Sequence, residues 1–147
     1  TQNVNWKDLD FIIVDMPPGT GDTQLTFSQE IKIDASIIVS TPQEVALLDV
    51  KRGIKMFDKL GVKILGLISN MSYFKGDDEK KYRLFGESGV ENTSKEFKKD
   101  FLGEIPIIPE VGKCGDAGEP IVEAYPDNEI SKIYLTLANK IKSIYFS

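Results

Sequence analysis

The residues best suited to chemistry in this sequence are Asp15 and the loop that follows it. Residues 11–14, with the sequence FIIV, form an apolar run typical of a strand that is buried on both faces of a parallel sheet. Asp15 then lies at the carboxyl end of that predicted strand, where ligands of such sheets collect. An acid in this position can hold Mg²⁺ directly or through water. The sequence therefore predicts that Asp15 faces a metal ion.

The loop that follows is rich in proline and glycine. Pro17 and the proline after it cannot donate to a strand ladder, whereas Gly19 and Gly21 allow a phosphate to approach the backbone closely. This pattern is typical of a switch loop that senses a nucleotide. A plain turn leading into a helix capped by Asp22 is the alternative, because proline and glycine are ordinary turn residues.

Composition excludes several classes of function. The 147 residues carry 18 Lys and Arg against 23 Asp and Glu, and this net charge of −5 argues against general binding to nucleic acid. Histidine is absent and Cys114 is the one cysteine, so a metal must be bound mainly by oxygen. No apolar run suits a membrane span, and the first residues lack the pattern of a signal peptide. We expect a single domain over residues 1–147 that lies in the cytoplasm without membrane contact.

Strand-like and helix-like segments alternate along the chain. Strands are predicted at 11–14, 35–40, 62–68 and 101–105. The helices predicted between them indicate an α/β fold with a doubly wound, mostly parallel sheet. Asn70 lies just past the carboxyl end of the third of these strands, so it too is expected among ligand-facing residues.

Local signals predict where helices and loops begin. Thr41, Pro42 and Glu44 form a capping pattern at the start of a helix that is expected to end at Gly61. Further predicted segments are a solvated charged loop at 75–81, a helix from residue 88 or 89 to 99, a turn-rich stretch at 112–120, and a final helix capped by Asp127 or Asn128.

Five segments together resemble the Mrp/ApbC family of iron–sulfur cluster carrier ATPases, which are P-loop NTPases of the MinD/ParA type. The segments are 15–22, 41–49, 70–74, 85–86 and 103–106. The resemblance implies that the chain is the C-terminal part of a MinD/ParA-like nucleotide-binding domain. It also implies a protein that binds ATP, hydrolyses it slowly, acts as a homodimer at full length and serves iron–sulfur client proteins.

The resemblance assigns roles to individual residues. Asp15 would organise Mg²⁺ near the γ-phosphate, and the loop with Pro17, Gly19 and Gly21 would be switch II. The Asn70 amide would hydrogen-bond the adenine, with a turn-forming asparagine as the alternative. Ile105 and Pro106 would flank the base, and residues 41–44 would line the nucleotide side of the sheet or the dimer face.

The first departure from the family pattern concerns the phosphates. In P-loop proteins the loop that holds the β- and γ-phosphates ends in Gly-Lys-Ser or Gly-Lys-Thr, and the sequence contains neither tripeptide. In the family that loop precedes switch II and follows a strand that lies between the strands matching 11–14 and 36–40. We therefore expect a native polypeptide that is longer at its N-terminus, and an inactive fragment when the phosphate loop is missing.

The second departure concerns iron. Cluster-bridging members carry a Cys-x-x-Cys pair shortly after the segment matching 70–74, because iron prefers thiolates. Residues 75–80 occupy that place here without a cysteine, and Cys114 lies far along the chain, which argues against cluster transfer. Two other functions stay open, namely a MinD/ParA-like positioning ATPase and a nucleotide-independent interaction domain.

Overall fold

The computed structural model describes residues 4–17 and 21–145. Its strands are β1 (Ala35–Ser40), β2 (Lys63–Ser69), β3 (Phe74–Lys75), β4 (Lys81–Tyr82) and β5 (Phe101–Glu104). Its helices are α1 (Asp22–Glu30), α2 (Glu44–Lys59), α3 (Gly89–Glu96), α4 (Pro109–Ala117), α5 (Ile121–Ala124) and α6 (Glu129–Tyr145). Strands β1, β2 and β5 form a parallel sheet in the order β1-β2-β5, and β3 pairs with β4 in a short antiparallel hairpin.

Helices cover both faces of the parallel sheet. On one face, Val50 and Ile54 of α2 and Val90 of α3 pack with Ile64 and Leu67 of β2. The other face holds a second cluster of buried residues, which comprises Ile68, Ile105, Cys114, Ile121, Ile130 and Leu137. The central strand β2 is buried along its length after its first residue, as expected for a strand with neighbours on both sides. The predicted α/β fold with a doubly wound parallel sheet is confirmed.

The prediction of a buried strand at 11–14 is wrong for this structure. Residues 11–14 form no strand, and their side chains are 40% to 93% exposed, with Ile13 the most exposed. An apolar run becomes a buried strand only when a neighbouring strand pairs with its backbone, and among the described residues β1 pairs with β2 alone. The Phe11 ring instead lies edge-on against Tyr145 of α6, with ring centroids 6.0 Å apart.

The start of α2 differs from the predicted capping pattern. The helix begins at Glu44 after an extended Gln43, and no side chain caps it, so Thr41 is not the N-cap. Pro42 is buried, and a Cβ on Gly89 would lie only 2.6 Å from the Pro42 carbonyl oxygen. Tight packing of Pro42 against Gly89 therefore accompanies a helix that begins only after the extended Gln43, and tertiary contacts override the local signal.

The end of α2 agrees with its sequence signal to within two residues. Gly61 follows the helix with a φ of +70°, a conformation that glycine adopts without strain. Its N–H donates to the Asp58 carbonyl at 3.2 Å, and the Val62 N–H donates to the Phe57 carbonyl at 3.0 Å. These two bonds form a Schellman motif, which satisfies carbonyls left over at the helix end.

The stretch predicted to be turn-rich at 112–120 is mostly helical. Helix α4 starts with Pro109 in its first turn, and Gly118 ends it with a φ of +69°. The glycines inside it do not break it, because Val111 and Cys114 pack into the core and anchor one face. The final helix has the predicted cap, since the Asn128 side chain accepts a hydrogen bond from the Ile130 N–H at 3.0 Å.

None of the helices in the described part of the chain is both long enough and apolar enough to span a membrane.

Candidate functional site

The three parallel strands end at the same level. Ser40 at the end of β1 is in register with Ser69 of β2, and Ser69 is in register with Glu104 of β5. The Asn70 N–H donates to the Ser40 carbonyl at 2.7 Å, so the chain is held across the end of β1 as it leaves β2. The carboxyl edge of the sheet, where ligands of such folds bind, therefore presents Asn70 at its centre.

The turn at Asn70 and Met71 is fixed on both sides by one residue. The Ile105 N–H donates to the Ser69 carbonyl at 2.8 Å. The Ile105 carbonyl accepts two bonds from Ser72, one from its N–H at 3.0 Å and one from its hydroxyl at 3.1 Å. Met71 within the turn has a φ of +53°, a left-handed conformation that such anchoring can hold.

The Asn70 side chain is available for a ligand. The residue is partly buried, and its amide makes no hydrogen bond to any other residue that the structure describes. A primary amide carries both a donor and an acceptor, which is what recognition of a heterocyclic base edge requires. The backbone of Asn70 is thus fixed while its amide is left for a partner.

Ile105 and Pro106 are both buried beside this turn. The Ile105 side chain packs in the core under α4 and α6, and both of its backbone polar groups are used in holding the Asn70 turn. Pro106 borders a cavity of about 210 Å³. The cavity is lined by Tyr73, Phe74, Lys75, Pro106, Ile107, Ile108, Pro109, Glu110 and Glu129. The structure thus places Ile105 against the turn that carries Asn70, whereas Asn70 does not line the cavity that Pro106 borders.

Of the predicted switch loop, the structure describes Asp15, Pro17 and Gly21. Asp15 and Pro17 are exposed, and no hydrogen bond or ion pair joins Asp15 to another described residue. Gly21 caps the start of α1, where its carbonyl accepts a hydrogen bond from the Leu25 N–H at 3.2 Å. Gly19 lies outside the described residues. The roles given to Asp15, Pro17, Gly19 and Gly21 stay predictions.

Sequence reasoning missed an ion pair at this edge. Arg83 binds Glu104 through two parallel bonds, Nη1 to Oε1 at 2.8 Å and Nη2 to Oε2 at 3.3 Å. The hydrogen bond to Glu104 raises the pKa of the Arg83 guanidinium. The Tyr73 ring, which is buried, lies below the Lys81 ammonium at 4.2 Å from the ring centroid. No local pattern could reveal a pair whose members are 21 residues apart.

The segment predicted as a solvated charged loop is instead the β3–β4 hairpin. It remains exposed, as expected, but it has internal order. The Tyr82 hydroxyl donates to Asp78 at 2.9 Å and lowers the pKa of the Asp78 carboxyl, and Lys75 pairs with Glu79. The hairpin therefore contains order that the alternating charges alone did not indicate.

The donor set for metals is sparse. No group of three or more His, Cys, Asp or Glu side chains within residues 4–17 and 21–145 could hold an ion. Mg²⁺ bound to a nucleotide takes most of its ligands from phosphates and water and needs only one or two carboxylates. A single carboxylate, that of Asp15, is therefore sufficient for this ion. Cys114 is 6% exposed and packs in the core, which does not suit a ligand for an iron–sulfur cluster.

Solved structures define the class of protein. A nucleotide-binding protein of Archaeoglobus fulgidus, solved in complex with ADP, matches with a TM-score of 0.69 and 37% identity, over 77% of this chain and 47% of that one. The cell division ATPase MinD of Pyrococcus furiosus matches with a TM-score of 0.60 and 22% identity, over 76% of this chain and 43% of its own. The fold is that of the MinD-like P-loop NTPases.

The family follows from the sequence. A family model described as the ParA-type NUBPL iron-transfer P-loop NTPase matches residues 1–142, so the chain belongs to this family. An iron–sulfur cluster carrier protein of Aquifex aeolicus is 41% identical over 143 residues, which are 97% of this chain and 39% of the relative. The carrier protein of Synechocystis is 46% identical over 140 residues, or 94% of this chain and 40% of its own. The chain thus spans about two fifths of the length of these relatives, and the resemblance to iron–sulfur carriers is confirmed.

Proposed function

We propose that this chain is the switch and adenine-side part of an iron–sulfur cluster carrier that binds ATP with Mg²⁺ and hydrolyses it slowly. The observation that carries the proposal is the Asn70 turn, fixed at the carboxyl edge of a parallel sheet with its amide available. Membership of an iron-transfer P-loop NTPase family supports it, as does the similarity to a nucleotide-binding protein solved with ADP.

Each candidate residue then has a distinct task. The Asn70 amide hydrogen-bonds the adenine edge, while Ile105 holds the turn from below and, with the adjoining Pro106, flanks the base. Asp15 binds Mg²⁺ or its water, and the loop through Pro17, Gly19 and Gly21 responds to the γ-phosphate. The metal ion, when bound, neutralises charge that develops on the phosphates.

Asn70 gives the direct test. In the full native polypeptide, Asn70→Ala is expected to weaken ADP binding about tenfold, because two hydrogen bonds to the base are lost. Binding of GDP, whose base edge has a different donor and acceptor pattern, is expected to change by less than about twofold. Isothermal titration with each nucleotide measures both constants.

The matched control is Asn92→Ala on the exposed face of α3, far along the chain from the turn. It is expected to leave both nucleotide affinities unchanged. Equal ADP affinity for the parent and Asn70→Ala would contradict the adenine role. Failure of the parent to bind ADP would instead favour a nucleotide-independent interaction domain.

An iron–sulfur cluster would be the cargo in this proposal, and no described residue of this chain fits as its ligand, because the one cysteine, Cys114, is buried. Cys114→Ser is expected to leave the iron content of anaerobically purified protein unchanged, because the thiol is buried in the core. The substitution should lower the free energy of unfolding by about 1 to 2 kcal/mol, since a hydroxyl replaces a buried sulfur. Iron analysis beside urea denaturation measures both effects. Stoichiometric iron in the parent that disappears in Cys114→Ser would refute this assignment.

The quaternary and client parts of the proposal rest on the same family membership. A homodimer, iron–sulfur client proteins and a cytoplasmic location remain predictions, as does a longer native polypeptide. Comparing the intact mass of the native polypeptide with that of these 147 residues tests whether the native polypeptide is longer. The mass of the native protein in solution without denaturant tests whether it is a homodimer.

A further inference from the structure

The Arg83–Glu104 pair is built more firmly than the other ion pairs on the surface. Both side chains are only about a quarter exposed, at 27% and 26%, and the contact is bidentate. Arginine and a carboxylate in this geometry form strong charge-assisted hydrogen bonds with a fixed direction. Such a pair can determine where a chain segment lies.

Glu104 connects the pair directly to the Asn70 turn. It is the last residue of β5, and the next residue, Ile105, makes the three hydrogen bonds to Ser69 and Ser72 that enclose the turn. A shift of Glu104 therefore moves Ile105 and loosens the turn. Arg83 is thus connected to the Asn70 turn through Glu104, Ile105 and the serines on either side of the turn.

Tyr73 connects the β3–β4 hairpin to the Asn70 turn. It directly follows Ser72, is 5% exposed, and its carbonyl accepts a hydrogen bond from the Ile107 N–H at 2.7 Å. Its ring lies under Lys81 at 4.2 Å and beside the Arg83 guanidinium at 5.9 Å from the ring centroid. Arg83 thus contacts both Glu104, which precedes Ile105, and Tyr73, which follows Ser72.

We propose that Arg83 is a positioning residue for adenine recognition, which fastens the β3–β4 hairpin to Glu104 and thereby holds the Asn70 turn in its binding geometry. The adenine part of this inference rests on the proposed function. The clamp itself, meaning the Arg83–Glu104 pair with Tyr73, can be tested without any nucleotide.

Hydrogen exchange in the absence of nucleotide tests the clamp. Arg83→Gln is expected to speed exchange of the Ser72 and Ile107 amides about tenfold, because the segments they join open more often. Lys99→Gln is the matched control. Lys99 lies just before β5, its side chain is only 22% exposed, and the substitution removes its 2.7 Å ion pair with Asp58. Unchanged exchange in Arg83→Gln, or equal acceleration in Lys99→Gln, would overturn the clamp.

Nucleotide selectivity tests the link to function in the full native polypeptide. Arg83→Gln is expected to weaken ADP binding about fivefold and GDP binding by less than twofold, so the preference for adenine falls. A general loss of stability would weaken the binding of ADP and GDP alike and leave the ratio of the two affinities unchanged. That result would overturn the positioning role. No adenine preference in the parent would refute the proposed function instead, while the exchange measurement still decides the clamp.

Two further variants keep the test decisive if Arg83→Gln folds poorly. Arg83→Lys keeps the charge but loses the bidentate geometry, so it is expected to show intermediate exchange and selectivity. The reversed pair Arg83→Glu with Glu104→Arg is expected to restore both measurements toward the parent, relative to Arg83→Glu alone. No restoration in the reversed pair would count against a direct Arg83–Glu104 clamp.

Discussion

Gly66→Ala is expected to lower the free energy of unfolding by about 3 kcal/mol or more, because the new methyl group has no space. A Cβ at Gly66 would lie 2.6 Å from the Asp100 carbonyl oxygen and 2.6 Å from Cγ of Leu102. One of these neighbours is backbone and cannot move aside without disturbing the sheet. The φ of +156° at Gly66 adds strain for any other residue. Urea denaturation followed by circular dichroism measures the loss.

Gly53→Ala is the matched control, since it adds the same methyl group inside α2. Apart from its chain neighbours and the backbone of α2 itself, no described heavy atom lies within 4 Å of the added Cβ there. We expect a gain of about 0.5 to 1 kcal/mol, because alanine favours a helix interior more than glycine does. Equal effects of the two substitutions would show that the close approach at Gly66 carries no energetic weight.

The close approach at Gly66 also bears on the candidate site. It lets the Leu67 N–H reach the Asp100 carbonyl at 2.8 Å, which begins the pairing of β2 with β5. That pairing, after one irregular step in register, brings Ser69 level with Glu104. A sheet loosened at Gly66 would therefore separate the residues that hold the Asn70 turn. We expect Gly66→Ala to impair the site as well as the fold.

The sequence predicted best those elements whose signals are local and long. The apolar run of β2, the periodic face of α2, its glycine end and the Asn128 cap of α6 all follow from side-chain period and hydrogen-bonding groups near in sequence. Asn70 was also placed correctly at the end of β2, because a residue directly after a parallel strand must lie at the carboxyl edge of the sheet.

The errors arose where distant contacts decide the structure. Residues 11–14 have the composition of a strand but no neighbouring strand among the described residues. Thr41 has a capping side chain, but the helix begins only after Gln43, next to a Pro42 that packs closely against Gly89. The glycines of α4 indicated turns, yet core contacts of Cys114 hold a helix. Arg83 and Glu104 meet only because the hairpin folds back over the end of β5. None of these contacts is visible within a short window of sequence.

Asp15→Ala should have the largest effect on activity. In the full native polypeptide we expect Mg²⁺-dependent ATP turnover to fall by at least about 100-fold, because a metal ion without its carboxylate partner is no longer positioned to organise charge at the γ-phosphate. Asp15 is exposed and makes no hydrogen bond or ion pair to another described residue. The melting temperature should therefore stay within about 1 °C of the parent, since surface substitutions of this kind cost little.

Asp10→Ala separates a specific role of Asp15 from a general effect of charge in the same segment. Asp10 is also an exposed aspartate, but it precedes the apolar residues 11–14 whereas Asp15 follows them. Because ligands collect at the carboxyl ends of strands, only the second position suits a metal ligand if 11–14 pairs as a strand in the active protein. Turnover should survive Asp10→Ala and fail in Asp15→Ala. Normal turnover in Asp15→Ala would remove Asp15 from the mechanism and leave Asn70 as the main support for a nucleotide site.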